Sequence, residues 1–118
     1  MFSVSHNNTI QITRGDTATV AIFINAGTPL EMERYSLQER DAVYIGIMEP
    51  NQRFEDAIMK YKLTIEDVNL DGDPEWKIRA KDTEFLEPGT YFYEIKLSRA
   101  NDLMVDTIVS KTYFYIQD

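Results

Sequence analysis

The chain has 118 residues and no cysteine, and its 20 acidic and 12 basic side chains give a formal net charge of −8. A chain of this length encloses one two-layer core, and no apolar run approaches the roughly 20 residues that cross a bilayer as a helix. The acidic balance and the scattered basic residues disfavour nucleic acid and anionic membranes as partners. The N-terminus lacks the basic and apolar segments of a secretory signal, which predicts synthesis in a reducing cytosol.

We therefore predict a single domain over residues 1–118, with a flexible N-terminus at residues 1–8. Residues 9–13 and 17–24 have strand periodicity and are separated by a turn, and residues 25–29 are predicted to end the second strand. Residues 30–40 are polar and predict a loop, with room for a short edge strand around 32–36. Residues 42–48 predict a clear strand that points Val43, Ile45 and Ile47 inward.

The stretch from 54 to 68 fits two patterns. Apolar residues at 54, 58, 61 and 65 fall at helical spacing, whereas those at 59, 61 and 63 fit one face of a strand. We favour a strand over 58–63 with a helical turn after Thr64, because the flanks lack a helix cap. Asp71-Gly72 is a strong hairpin signal, and Trp76, Ile78 and Ala80 alternate behind it as the next strand.

A turn followed by a strand organises the second half of the chain. Proline presets one backbone dihedral and glycine accepts a positive φ, so Pro88-Gly89 predicts a turn. Residues 91, 93, 95 and 97 then alternate as the core face of a strand. A Gly-x-Tyr sequence at such a place is typical of the tyrosine corner of immunoglobulin-like sandwiches. Pro88, Gly89 and Tyr91 are predicted to form this corner, and Tyr93 to face the core.

The C-terminal part predicts a hairpin at 99–102, a strand over 103–109, a bulge at 110–111 and a last strand over 113–116. The whole chain then has about seven to nine short strands, with turn signals about every ten residues. This pattern predicts an all-β fold, an antiparallel immunoglobulin-like β-sandwich.

Little in the sequence points to catalysis or to a cofactor. His6 is the single histidine and is predicted to be a surface residue, and no cysteine is available as a nucleophile, so we do not expect an enzyme. Trp76 could serve as a sugar-stacking platform, but its phase with Ile78 favours the core.

One loop partly matches a calcium-binding motif. Its oxygen ligands would be Asp67, Asn69, Asp71 and Asp73. The position that should supply a bidentate glutamate is Ile78, within a predicted strand. We therefore favour a plain Asp-Gly hairpin over a metal site.

Outward-facing aromatic residues give the clearest functional signal. A strand that buries residues 91 and 93 turns Phe92 outward, and the last strand must turn out either Tyr113 and Tyr115 or residues 114 and 116. Aromatic side chains on the outer face of a sandwich indicate contact with another subunit or partner. We predict Phe92, Tyr113 and Tyr115 as interface residues.

Four segments together carry a resemblance to known proteins. They are Ile12-Thr-Arg-Gly-Asp-Thr17, the Asp-Gly-Asp turn at 71–73, Asp82-Thr with Leu86-x-Pro88-Gly-x-Tyr91-x-Tyr93-x-Ile95-Lys-Leu97, and Lys111-x-x-Phe114-x-Ile116. They resemble small immunoglobulin-like virion proteins of tailed phages and prophages of Gram-positive bacteria, such as the N-terminal domain of the baseplate upper protein family.

The resemblance implies a non-enzymatic virion component, made in the host cytoplasm, that docks on neighbouring subunits or on itself in the tail, baseplate or neck. The lack of an extension after the sandwich favours a small adaptor or connector over a receptor-binding arm. The alternative is a carbohydrate-binding module on the same fold, with Trp76 or tyrosines for stacking and calcium at residues 67–73. Fold alone does not decide between these functions.

Overall fold

The computed structural model describes residues 2–5, 7–28 and 30–118, so the prediction for His6 lies outside the described residues. The strands are β1 (Phe2–Val4), β2 (Ile10–Thr13), β3 (Ala18–Ala21), β4 (Asn25–Thr28), β5 (Glu31–Arg34), β6 (Ala42–Met48), β7 (Met59–Leu63), β8 (Glu75–Ile78), β9 (Gly89–Arg99) and β10 (Met104–Gln117). Helical structure is limited to α1 (Ala80–Thr83) and single 3-10 turns at Phe54–Asp56 and Ile65–Asp67. Among the described residues, no helix is long and apolar enough to span a membrane.

The strands form two facing layers and a separate hairpin. The larger sheet has the order β1-β2-β10-β9-β6-β7, and all neighbours are antiparallel except β2 and β10. β3 pairs with β8 in the smaller sheet, and β4 pairs with β5. The run β10-β9-β6-β7 and the pair β3-β8 correspond to strands G-F-C-C′ and B-E of a variable-type immunoglobulin sandwich. The predicted all-β sandwich is confirmed.

Trp76 on β8 joins the two layers and is completely buried. Its ring centroid lies 5.7 Å from that of Tyr93 on β9 and 6.2 Å from that of Phe114 on β10. Aliphatic residues from both sheets and from the segment after β3 complete the same core cluster: Ile10, Ile12, Ile22, Ile24, Val43, Ile45, Ile47, Ile78, Ile95, Leu97 and Ile116. The core position predicted for Trp76 is confirmed, and so is the inward face predicted for β6.

The ambiguous stretch between 54 and 68 has the predicted strand, β7, followed by the predicted helical turn at Ile65–Asp67. The Asp67 carboxylate accepts a hydrogen bond from the Thr64 amide at 2.8 Å and so caps this turn. The residue at 54, which suggested helical spacing, begins a separate 3-10 turn before the strand.

The prediction that residues 25–29 only end a strand is wrong for residues 25–28, because these residues form β4. They pair with β5, which overlaps the short edge strand allowed around 32–36 in the otherwise polar segment. Asparagine and glycine have low strand propensity, but hydrogen bonding across a hairpin outweighs it. Pro29 lies outside the described residues.

The predicted alternation through Ala80 is also wrong, since β8 ends at Ile78 and Ala80 begins α1. The Asp82 carboxylate accepts a hydrogen bond from the Arg79 amide at 2.9 Å, which caps the helix and stops the strand.

The two strands predicted for the C-terminus are one strand, β10, whose pairing with β9 shifts register between Thr107 and Val109 and again before Thr112. The irregularities bend the strand without ending it.

At the N-terminus, within residues 1–8 predicted to be flexible, Phe2–Val4 pair with β2 as β1. The Tyr93 hydroxyl donates a hydrogen bond to the Asn8 carbonyl, which ties the turn between β1 and β2 to the core. Burial raises the pKa of Tyr93 to about 12, so this hydroxyl stays a donor at neutral pH.

The entry into β9 has the geometry of a tyrosine corner. The Tyr91 hydroxyl donates to the Glu87 carbonyl at 2.6 Å, while its ring is buried. Gly89 has φ = 155°, a backbone conformation that other residues rarely adopt, and Pro88 before it is exposed. The corner fixes where β9 starts and therefore which of its residues face Trp76.

We predict that Tyr91→Phe lowers the free energy of unfolding by about 1–1.5 kcal/mol, because the Glu87 carbonyl loses its partner while the ring stays packed. Urea denaturation measures the change. Tyr44→Phe is the matched control, because Tyr44 is half-exposed on the outer face of β6. Equal stability of the two variants would show that the corner hydrogen bond contributes nothing.

Candidate protein-interaction surface

The three predicted interface residues form one continuous strip on the outer face of the larger sheet. Phe92 on β9 is directly opposite Tyr113 on β10, and their ring centroids are 5.1 Å apart. Tyr115 follows two residues later on the same face, with its ring 5.5 Å from that of Tyr113 and the planes within 7° of parallel. We call Phe92, Tyr113 and Tyr115 the aromatic ladder.

The pleat of β10 explains this arrangement, because Tyr113 and Tyr115 point away from the core while residues 114 and 116 point into it. Tyr113 is 47% exposed, and the other two rings are half-buried. Cross-strand aromatic pairs stabilise a sheet modestly, by about 0.2–1 kcal/mol. An aromatic strip of this size on a solvent-facing sheet is more typical of a contact surface.

The neighbouring part of the same face is covered by the chain itself. The 3-10 turn Phe54–Asp56 lies over β6, and the Phe54 ring fits where Gly46 has no side chain; a Cβ added at Gly46 would lie 3.0 Å from the ring. The Lys96 ammonium is 4.7 Å from the centre of that ring. Met48 on the outer face is fully buried beside this cover. The aromatic ladder lies next to the part of the outer face that the Phe54–Asp56 turn covers.

Lys111 contacts both the loop that covers the outer face and the aromatic ladder. Its ammonium donates to the Gln52 carbonyl at 2.9 Å and lies 5.1 Å from the centre of the Phe92 ring. A cation at this distance over an aromatic face is attracted to it. The contact therefore holds one end of the aromatic ladder in a defined position.

Three of the four side chains in the partial calcium motif have structural roles of their own, and the fourth, Asp71, is exposed. The Asp67 carboxylate caps a helical turn, and the Asn69 side-chain oxygen accepts hydrogen bonds from the amides of Asp71 and Asp73 at 2.9 and 3.0 Å. The Asp73 carboxylate is buried and lies 3.3 Å from Arg34. In the described ranges, no group of three or more histidine or acidic side chains is placed to hold a metal ion.

The buried carboxylate of Asp41 fixes the β9–β10 hairpin that carries the ladder. It accepts hydrogen bonds from the Gln38 amide at 2.9 Å, from the Ala100 amide at 3.3 Å and from the Tyr35 hydroxyl. Burial alone would raise the pKa of Asp41, but these three hydrogen bonds and nearby Arg99 hold it below its ordinary value. Burial and the Asp41 charge raise the pKa of Tyr35 to about 12.

The turn that Asp41 holds is conformationally demanding. Ala100, Asn101 and Asp102 have positive φ values of 52°, 58° and 70°, a region in which non-glycine residues are uncommon. The Ser98 hydroxyl donates to the Asp102 carboxylate, and the Asn101 amide donates to the Arg40 carbonyl at 3.0 Å. Asparagine and aspartate tolerate this region better than other non-glycine residues, so Ala100 is the disfavoured member, and its amide is held by the Asp41 carboxylate.

No protein-family model matches the chain, and a comparison with curated proteins finds no match either.

Sequence patterns found the ladder but not its surroundings. The alternation of β9 predicted that Phe92 faces outward, and the alternation of β10 left Tyr113 with Tyr115 as one of two options for the outer face. The roles of Phe54 and Lys111 were missed, since both depend on how a loop folds back across the sheet. Gly46 within a strand was the available signal, because such a glycine often marks close approach of another group.

We predict that Asp41→Asn lowers the free energy of unfolding by about 2–3 kcal/mol at about pH 7, because an amide cannot replace all the accepted hydrogen bonds. The folded pKa of Asp41 lies below its ordinary value of 3.8, so its contribution is complete above that value and is lost as the pH falls through the folded pKa. Urea denaturation of both proteins should give curves that converge in acid. Asp71→Asn, at an exposed position, is the control. A pH-independent difference between wild type and Asp41→Asn would contradict this assignment.

Proposed function

We propose that this β-sandwich is a non-catalytic structural component of a phage or prophage virion, and that it assembles by docking the aromatic ladder against another subunit. The observation that supports this proposal is the aromatic ladder. Its three contiguous rings lie on the outer face, next to a region that the chain covers with its own loop. The resemblance of the corner and the following strand to virion proteins supports a virion as the assembly in which this docking takes place.

The ladder has the chemistry of an interface core. Tyrosine and phenylalanine bury large apolar areas with few rotatable bonds, and the tyrosine hydroxyls can keep hydrogen bonds at the rim. Lys111 already holds Phe92 in place, so docking would cost little side-chain entropy there. A pre-ordered aromatic strip favours a rigid, lasting contact over a transient one.

The same geometry argues against the carbohydrate-binding alternative. Trp76, its first candidate platform, is fully buried. The rings of Tyr113 and Tyr115 are parallel and stacked on one another, so each covers part of the other's face instead of forming a flat platform. Sugar recognition by stacking needs open ring faces. Protein docking is therefore the better supported reading.

The test is incorporation into particles made with variant chains. Particles purified from a phage lysate that contains the protein are analysed by quantitative mass spectrometry, with Phe92→Ser and Tyr113→Ser as the ladder variants. We expect each to reduce incorporation at least about tenfold, as loss of a central aromatic contact does in other interfaces. Tyr44→Ser, which removes a half-exposed tyrosine elsewhere on the same sheet, is the matched control and should incorporate normally.

Two results would contradict the proposal. One is the absence of the wild-type protein from purified particles. The other is equal incorporation of the Tyr113→Ser and Tyr44→Ser proteins. Glycan-array binding that is lost on Tyr113→Ser would instead support a carbohydrate-binding module.

A further inference from the structure

Three aromatic rings on the outer face of the larger sheet each have a lysine ammonium of the same chain over them. The pairs, with the distance from nitrogen to ring centre, are Lys62 and Tyr44 at 5.8 Å, Lys96 and Phe54 at 4.7 Å, and Lys111 and Phe92 at 5.1 Å. Tyr113 and Tyr115 lie on the same face, and no cation among the described residues lies over either ring. A cation is attracted to the face of an aromatic ring, so a ring without one can accept it from another molecule.

The aromatic ladder has a cation at one end only. Lys111, Tyr113 and Tyr115 are successive outward residues of β10, and the Lys111 ammonium lies over Phe92. Tyr113 contacts the rings of both Phe92 and Tyr115. Beyond Tyr115 the next outward residue is Gln117, which is exposed and uncharged. In the part of the chain that the structure describes, no ring or cation covers the face of Tyr115 that is turned away from Tyr113.

Two exposed carboxylates lie beside this free face. Thr90 on β9 is directly opposite Tyr115, and Glu87 lies just before the start of that strand. Glu49 directly follows the residue of β6 that is opposite the ladder on β9. Burial raises the pKa of Tyr91, and the charges of Glu49 and Glu87 raise it further, which places both carboxylates around the start of β9. Within the described ranges, no lysine or arginine forms a salt bridge with either carboxylate.

We propose that the aromatic ladder docks against a basic surface of the other subunit, and that an arginine of that surface stacks on the free face of Tyr115 and pairs with Glu49 or Glu87. The inference rests on the proposed function and specifies the chemistry of the docking partner. Arginine fits this place better than lysine, because its planar guanidinium can lie flat on a ring while its N–H groups reach a carboxylate at the edge.

The chain contains an example of the same arrangement. The guanidinium carbon of Arg34 on β5 is 4.3 Å from the centre of the Phe23 ring, and its Nε is 3.3 Å from the Asp73 carboxylate. One arginine therefore covers an exposed ring and neutralises a carboxylate at once. Tyr115 and the two carboxylates beside it offer the same pair of groups, and the arginine is what the other subunit would supply.

Charge favours a basic partner over an acidic one. The net charge of −8 attracts a positively charged surface and repels an acidic protein or a second copy of this chain. Lys111 also determines where on the ladder an incoming cation can go. It already lies over Phe92 and repels a second cation at that end. The incoming arginine is thereby directed to the Tyr115 end, where the nearby charges are carboxylates.

Titration of the whole chain with N-acetyl-arginine amide, followed by heteronuclear NMR, tests the site without any particle. We expect the largest shift changes at the backbone amides around Tyr115. The dissociation constant should rise at least about threefold in Tyr115→Leu and in the double variant Glu49→Gln/Glu87→Gln. Tyr115→Phe keeps the ring face and is the control for leucine. Glu39→Gln/Glu66→Gln removes two exposed carboxylates elsewhere and is the control for the double variant.

Several results of this titration would overturn the proposal. They are no binding of the arginine amide at up to about 100 mM, shift changes centred away from Tyr115, and unchanged binding in Tyr115→Leu. Equal binding of N-acetyl-norleucine amide, which has no charge, would show an apolar contact instead. Tighter binding of N-acetyl-lysine amide would contradict the choice of arginine. Circular dichroism spectra that match wild type confirm that each variant is folded.

The particle assay separates this inference from the proposed function. We expect Tyr115→Phe to be incorporated normally and Tyr115→Leu to be reduced at least about threefold. Normal incorporation of Tyr115→Leu together with loss of Tyr113→Ser would leave the docking role intact and reject the arginine contact. Absence of the wild-type protein from particles would reject the virion role, whereas the titration accepts or rejects the arginine site by itself.

Discussion

The contact of Trp76 with Tyr93 and Phe114 holds the two sheets of this sandwich together. Tyr93 lies two residues after the corner tyrosine, where antibody domains have one cysteine of the disulfide between the sheets. This chain has no cysteine, and an aromatic cluster occupies that position. Truncation of a buried tryptophan to alanine costs about 3–5 kcal/mol, and removal of a native disulfide from a small domain costs about 2–5 kcal/mol. Aromatic packing can therefore replace the covalent link.

The corner at Tyr91 determines whether this contact forms. Because side chains alternate along a strand, a shift of one residue at the start of β9 would turn Tyr93 outward and Phe92 inward. The hydrogen bond from Tyr91 to the Glu87 carbonyl sets that register. This register places Tyr93 in the core and Phe92 in the aromatic ladder. The core and the proposed interface are consequences of the same local geometry.

The outer surfaces of the molecule differ in the polarity of the side chains that they expose to solvent. The β7–β8 side carries cations, part of the outer face is covered by Phe54, and the ladder and the mouth of an apolar groove between β1, β3 and β10 expose apolar groups. A monomer would gain nothing from leaving those last two surfaces apolar.

Local patterns predicted most of this fold, because alternation and turn residues act over a few positions. The segment from Pro88 to Leu97 illustrates this, since its turn and its buried face are both encoded within ten residues. The strand at 25–28 was missed because its stability comes from a partner strand and not from its own residues. The groove was missed for a similar reason: it combines Phe2 with Ile108, which are more than a hundred residues apart in the chain.

The fluorescence of Trp76 tests the central claim most directly, because it is the one tryptophan in the chain. If the ring lies between the sheets, the native protein should emit at shorter wavelength than the urea-unfolded chain and resist quenching by acrylamide. Both properties should be lost in a single transition that coincides with loss of the β-sheet circular dichroism signal. Native emission at the wavelength of the unfolded chain, with equally efficient quenching, would place Trp76 in solvent and contradict the account.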